Sequence, residues 1–402
     1  MTRPRTYLER SPLLTAVTYT VLGVLPLYLM SAQSILIQRS LGFGPSTFGF
    51  LVASFFLMSS VAVRGLGPWV DRSGPTPALR AAALLTGATG LLSLTVVRGW
   101  PALVVVMALG GLGNALAQLG GTSVIAGGID RTRHGISLSA KQAAVPLAAV
   151  LGGALVPIIG LSDWRPAFGV ALAVGIAMAV LAPRYPAPVR TPASPSPGDE
   201  GGSTGSRWDP EVLALMGAGA CAGGIGNGLA SFTPNAAVAA GFSPATAAVL
   251  LTAGSGVAIV ARVGAGWIVD RRDGTGATET MLLFVLGVMG LVGLTFSGGS
   301  RTVFLIALLV TFAGAWGWPG VLMVTSLRIL RLPAATAAGA VAAGSYLGTV
   351  IVPILMGIII EERSYVAVFA GQSVLLLIAA LLVLLGSTIA RRRDGRSPVA
   401  RA

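Results

Sequence analysis

Apolar residues run along this chain in blocks of about twenty, separated by short clusters of arginine, glycine and proline, and that spacing sets the first expectation. Within the blocks hydrophobic and polar positions do not alternate, and no aromatic girdles frame ten-residue segments. Helices are therefore expected, not a membrane β-barrel. The breaks divide the chain into twelve spans, near 13–37, 46–66, 77–97, 101–128, 137–161, 165–183, 211–235, 244–268, 278–298, 302–327, 333–360 and 365–390. Six lie on each side of the segment 185–209, whose Pro, Ser and Gly content reads as a flexible linker.

Composition sharpens this to an all-α integral membrane protein: 54% of residues are hydrophobic, 10% are charged, and mean hydropathy is +0.82. A net charge of +13 would suggest nucleic acid for a soluble chain, but here the arginines follow topology. Among the loops, only Arg39, Arg98, Arg165, Arg301 and Arg363 fall on one side, and the positive-inside rule makes the other side cytoplasmic. Both termini are then cytoplasmic, and no nucleic-acid partner is expected. The charged start Met1 to Arg10 leads into an apolar run past Met30, which reads as the first span and not as a cleaved signal peptide. The expected location is the inner (plasma) membrane of a bacterium, crossed many times. Cys221 is the only cysteine, and His134, the only histidine, is expected in a solvated loop. No disulfide, metal cluster or cofactor is expected. There is also no HExxH, no Walker A lysine motif and no Ser/His/Asp set, so no enzymatic activity is expected. A non-transporting membrane sensor is a remote alternative.

One stretch occurs twice. Gly67-Pro68-Trp69-Val70-Asp71-Arg72-Ser73-Gly74 follows the second span, and Gly266-Trp267-Ile268-Val269-Asp270-Arg271 follows the eighth. Upstream, Gly42-Phe43-Gly44-Pro45 answers Gly241-Phe242-Ser243-Pro244 at the same offset. The chain is an internal duplication. Together with Asp163-Trp164-Arg165-Pro166-Ala167-Phe168 at the start of the sixth span, these motifs resemble the major facilitator superfamily of secondary transporters. The resemblance covers the whole chain. It implies two six-helix bundles, 1–184 and 210–402, joined by the linker 185–209, with alternating access to a central cavity. It also implies a gating role for Gly67, Asp71, Arg72, Gly74, Gly266, Asp270 and Arg271. Asp71 is expected to cap the eleventh span near Pro333, and Asp270 the fifth near Ser137, as carboxylates beside unpaired N–H groups and the positive end of a helix dipole. The first copy departs from the pattern in carrying Pro75-Thr76 where the motif ends in a basic pair.

No carboxylate falls at mid-depth in any span, whereas Arg262 and Lys141 lie inside helices. Charges at membrane depth are costly and mark function by default. Arg262 resembles the eighth-span arginine that binds the substrate carboxylate in monocarboxylate and oxalate–formate porters. Lys141 is the only lysine; it either faces a cavity or snorkels to the inner interface. Gln142, Tyr28, Asn114, Gln118, Asn227, Trp316 and Tyr346 complete the candidate substrate set, several of them on the first, fourth, seventh and tenth spans that line the cavity in the family. Gln33 and Trp318 are also polar or aromatic near mid-depth. Two basic groups favour a small organic anion, monocarboxylate-like, as the small-molecule substrate. The alternative is efflux of hydrophobic, drug-like compounds, although the helix motifs of drug exporters are poorly matched. The bilayer is the other partner, protons are the candidate coupling ion, and a monomer is expected to suffice. Pro146, Pro157, Pro319 and Pro353 are expected to kink their helices.

Overall fold

The computed structural model describes residues 11–130, 134–159, 162–185, 206, 208–272, 274–332 and 334–394. Among them every regular element is an α-helix: α1 (Pro12–Ala32), α2 (Ser34–Leu41), α3 (Pro45–Ser73), α4 (Pro75–Thr95), α5 (Trp100–Gly128), α6 (His134–Gln142), α7 (Ala144–Ile159), α8 (Arg165–Val180), α9 (Pro210–Ala239), α10 (Pro244–Arg271), α11 (Ala277–Thr295), α12 (Arg301–Ala315), α13 (Pro319–Ile329), α14 (Ala334–Glu362) and α15 (Tyr365–Asp394). Eleven helical stretches are long and apolar enough to cross a membrane, α6–α7 and α12–α13 counting as one each; α8 is apolar but shorter, at 16 residues. The expected linker falls almost wholly outside the described residues.

Three expected spans are broken helices. α1 gives way to α2 at Gln33, where the backbone turns to φ −95°, ψ 8°. α6 and α7 part at Ala143, because Pro146 has no N–H for the Gln142 carbonyl and the Ala143 N–H takes the Ala140 carbonyl at 3.1 Å. α12 and α13 part over Trp316 to Trp318, just ahead of Pro319. Pro157 and Pro353 instead sit inside continuous helices.

Two expectations at the fifth span are corrected. His134 opens helix α6 and is no loop residue, and Ser137, near which the span was expected to start, already lies within the first turn, 3% exposed. The duplicated motif is also more helical than a loop: α3 runs on through Ser73 and stops only at Gly74, whose φ of +83° suits glycine.

By their internal contacts the residues form two units. Unit 1 comprises Met1–Val189, Gly228–Ile259 and Pro353–Tyr365; unit 2 comprises Arg190–Asn227, Val260–Val352 and Val366–Ala402. In unit 1, α1 packs on α5 and α7, α3 on α5, and α4 on α5 and α8. Small residues permit this, since lipid gives helices little hydrophobic reason to associate and close backbone approach must do so. A Cβ on Gly111 would meet the Phe55 carbonyl carbon at 2.9 Å, and one on Gly90 would meet the Leu172 nitrogen at 2.6 Å. Polar side chains fasten the ends: the Tyr19 hydroxyl donates to the Met178 carbonyl at 2.8 Å, and the Trp164 indole to Ser40 Oγ at 2.8 Å.

The second-half segments of unit 1 pack on its first-half helices away from the arginine-rich loops. Phe232 meets Phe48 edge-on with centroids 5.0 Å apart, Ser34 donates to Asn235, and Thr252 donates to the Val150 carbonyl at 3.3 Å. Gly49 lies on Pro353 and Gly357 on Pro45, backbone against backbone. In unit 2, Gly344 and Gly348 of α14 lie on Met216 and Ala220 of α9, and Gly314 lies on Gly287. Arg393 of α15 pairs with Glu211 and, at 3.9 Å, with Asp209 at the start of α9.

Candidate functional site

Lys141 is 4% exposed, its side chain enclosed by the protein. Its ammonium donates to the Gln118 carbonyl at 3.0 Å and to Thr122 Oγ1 at 2.9 Å, both on α5. Gly121 makes the room: a Cβ there would meet Lys141 Cε at 3.3 Å and Ala16 Cα at 3.4 Å. The side chain thus threads between α1 and α5, just ahead of the break that Pro146 imposes. Among the described residues no carboxylate lies within ion-pair distance of it. An ammonium has three donors, and two are placed on neutral acceptors. A buried charge in that state is costly unless an anion joins it.

The other unit 1 candidates surround this point unequally. Gln118 contributes its backbone, and Gln142 is half-buried beside Lys141. Asn114 is 3% exposed and donates to Ser59 Oγ at 2.9 Å, while its own Oδ1 has no partner among the described residues. Tyr28 is fully buried in α1. Gln33, at the break between α1 and α2, is 2% exposed, and neither amide atom has a partner among the described residues.

Unit 2 brings Arg262 and Trp316 together. Pro319 cannot donate to the Ala315 carbonyl, and the Trp318 indole does so instead at 3.1 Å. Arg262 Nε donates to the next carbonyl, Trp316, at 2.8 Å, with its guanidinium carbon 5.5 Å from the Trp316 ring centroid. Arg262 therefore caps a broken helix, whatever else it binds. Asn227 donates to the Gly223 carbonyl of its own helix at 3.0 Å, and Tyr346 is half-buried on α14. Trp318→Phe is expected to keep the edge contact with Phe284 but orphan the Ala315 carbonyl. The loss, roughly 0.5–2 kcal/mol, should lower the melting temperature of detergent-solubilised protein.

Neither Asp71 nor Asp270, the aspartates of the duplicated motif, has a hydrogen bond or ion pair among the described residues, and both are exposed. Arg72 Nε folds back to the Pro68 carbonyl at 2.9 Å, and Arg271 stacks on Trp267 at 3.9 Å. Asp270 lines an open cleft of about 470 Å³ with Arg272, Gly274, Thr275 and Arg328. Pro333, the expected partner region of Asp71, lies outside the described residues. Sequence reasoning missed Thr122, Gly121 and Ser59; the run Gly120-Gly121-Thr122 was the one available signal that a side chain enters α5 there.

Residues 13–331 match the family description Major Facilitator Superfamily. The chain belongs to that superfamily. No curated protein matches this facilitator in sequence. In structure it is similar to a bacterial homolog of the human lysosomal transporter Spinster in an inward-facing, unoccupied conformation. The TM-score is 0.76 at 15% identity, over 98% of this chain and 100% of that one. The occupied, inward-facing form of the same homolog gives 0.71 at 15% identity, over 95% and 98%. The nucleoside transporter NupG, as a mutant, gives 0.69 at 11% identity, over 95% and 99%. The facilitator fold is that of a multi-pass membrane transporter that carries small molecules.

Proposed function

We propose that the chain is a secondary active transporter for a small organic anion of the monocarboxylate class, working by alternating access. The observation that carries the reading is the buried ammonium of Lys141, hydrogen-bonded to neutral acceptors at a helix break and lacking a carboxylate among the described residues. Broken helices and buried charge are where transporters of this kind bind substrate. Arg262 serves as a second cation, on the other unit. The six-helix halves 1–184 and 210–402 move about the linker, with both termini cytoplasmic, in a bacterial plasma membrane, as a monomer driven by protons.

The test is flux into liposomes holding the purified chain. Radiolabelled monocarboxylates should enter saturably and faster under an inward proton gradient. Saturable flux of hydrophobic cations or nucleosides with no carboxylate flux would overturn the anion reading in favour of an efflux permease or a nucleoside carrier.

The gate motif is tested separately. Asp71→Asn removes the charge that would meet a helix N-terminus on the arginine-rich side, a contact of about 0.3–1 kcal/mol. Accessibility of that side to an impermeant thiol reagent, read with an introduced cysteine, should rise about two- to fivefold. Unchanged accessibility and unchanged transport would remove Asp71 from the gate.

A further inference from the structure

We infer that Glu361 is a latch that holds the arginine-poor face shut, by supplying from α14 the N-terminal cap that α3 lacks. The duplicated sequence exposes the gap. In the second copy α10 begins after Ser243, whose Oγ accepts from the Thr246 N–H at 3.1 Å. In the first copy the same position is Gly44, and α3 starts without a side-chain cap. A helix start leaves backbone N–H groups unpaired and carries partial positive charge. Glu361 fills that place from the far end of the chain: it accepts from the Ser46 N–H at 3.0 Å and from the Ser46 hydroxyl. Gly44 is what admits it, since a Cβ there would lie 3.1 Å from Glu361 Oε1 and 3.2 Å from Oε2.

The surrounding contacts aim the carboxylate. Gly357 on Pro45 and Gly49 on Pro353 press the end of α14 along the start of α3 with no side chain between them. This end of α14, from Pro353, belongs to unit 1 together with α3, and Pro353 has no N–H to give to the carbonyl one turn earlier in the helix. The carboxylate is exposed, so water replaces the Ser46 donors when it leaves, and the contact is reversible. By contrast Asp163 near the matching place in the first half turns to Arg165, accepting from its N–H at 3.1 Å, and is no latch.

This inference rests on the alternating-access reading. It is tested on the reconstituted full chain carrying Cys221→Ala and the reporter Gln33→Cys, a site 2% exposed and next to Ser34, which donates to Asn235 of the second half. An impermeant maleimide is added on the arginine-poor side. Glu361→Gln should raise the labelling rate about two- to fivefold. Gly44→Ser, which gives α3 its own cap and occupies the place of Glu361, should raise it equally without lowering the melting temperature. In the double variant labelling should stay high. A return to the parental rate there would mean that Glu361 serves only to stabilise α3, and equal labelling in all variants would overturn the latch outright. Solute flux by the parent is measured alongside: its absence would count against transport itself, and flux with unaltered labelling against the latch alone.

Discussion

Replacing Lys141 with methionine is expected to cut transport of the anionic substrate between about tenfold and a hundredfold while leaving the protein at least as stable. A hydrogen bond to a charged group contributes about 1.5–3 kcal/mol. Each 1.36 kcal/mol is tenfold in rate or affinity. Stability does not follow activity down, because exchanging a buried charge for an apolar side chain of similar length is neutral or favourable. Nor does the exchange orphan a partner: the Gln118 carbonyl still accepts from Thr122 Oγ1 at 2.8 Å. Gly121→Ala should give an intermediate loss, since its Cβ crowds Lys141 Cε from 3.3 Å and displaces the ammonium from the α5 acceptors. Flux and melting curves on the same preparations decide the matter. Parental flux in Lys141→Met would end the anion assignment, and a collapse in melting temperature would assign Lys141 to packing.

The spacing of apolar blocks was enough to place the helices, because a bilayer leaves one solution for a long unalternating hydrophobic run: every backbone group must pair within its own segment. Among the described residues eleven of the expected spans coincide with helices long and apolar enough to cross a membrane, and the sixth coincides with the shorter α8. The breaks were half legible. Pro146 and Pro319 announced theirs, but Gln33 interrupts α1 and α2 with no proline to signal it. Side-chain roles were harder to read where the partner is a backbone group. Arg262 caps a carbonyl that becomes available only because α12 ends at Ala315, and Trp318 answers a carbonyl that Pro319 cannot. Glu361 looked like an ordinary helix-end charge, because its partner Ser46 is 315 positions away and the lack of a cap at Gly44 shows only against Ser243. Lys141 was a balance between cavity and interface from sequence; its burial and the room left by Gly121 depend on α5, which no local pattern around Lys141 shows.

The largest effect of all is expected at glycines, and it separates those that pack from those of the duplicated motif. Gly348→Val should leave no folded protein. A Cβ at that position would lie 2.6 Å from the Ala220 carbonyl carbon and 3.0 Å from its Cα, and backbone cannot rotate aside as a side chain can. Gly344→Val should do the same against the Met216 carbonyl carbon at 2.8 Å. Forcing α14 off α9 removes the close approach that holds helices together in lipid, and overpacking alone costs about 1–3 kcal/mol or more. Gly67 and Gly266, the motif glycines, have nothing within 4 Å of an added Cβ. Gly67→Ala and Gly266→Ala should therefore raise stability by roughly 0.5–1 kcal/mol each, the helix preference of alanine over glycine. Their bulk matters only if the gate closes on them. If the proposed gate closes on this stretch, Gly67→Val should accordingly melt like the parent and yet transport little, its side chain obstructing the closure. Expression and melting temperature are read first, then flux. Parental flux in Gly67→Val would mean that this stretch meets nothing at any stage of the cycle, and the duplicated motif would lose its place in the gate.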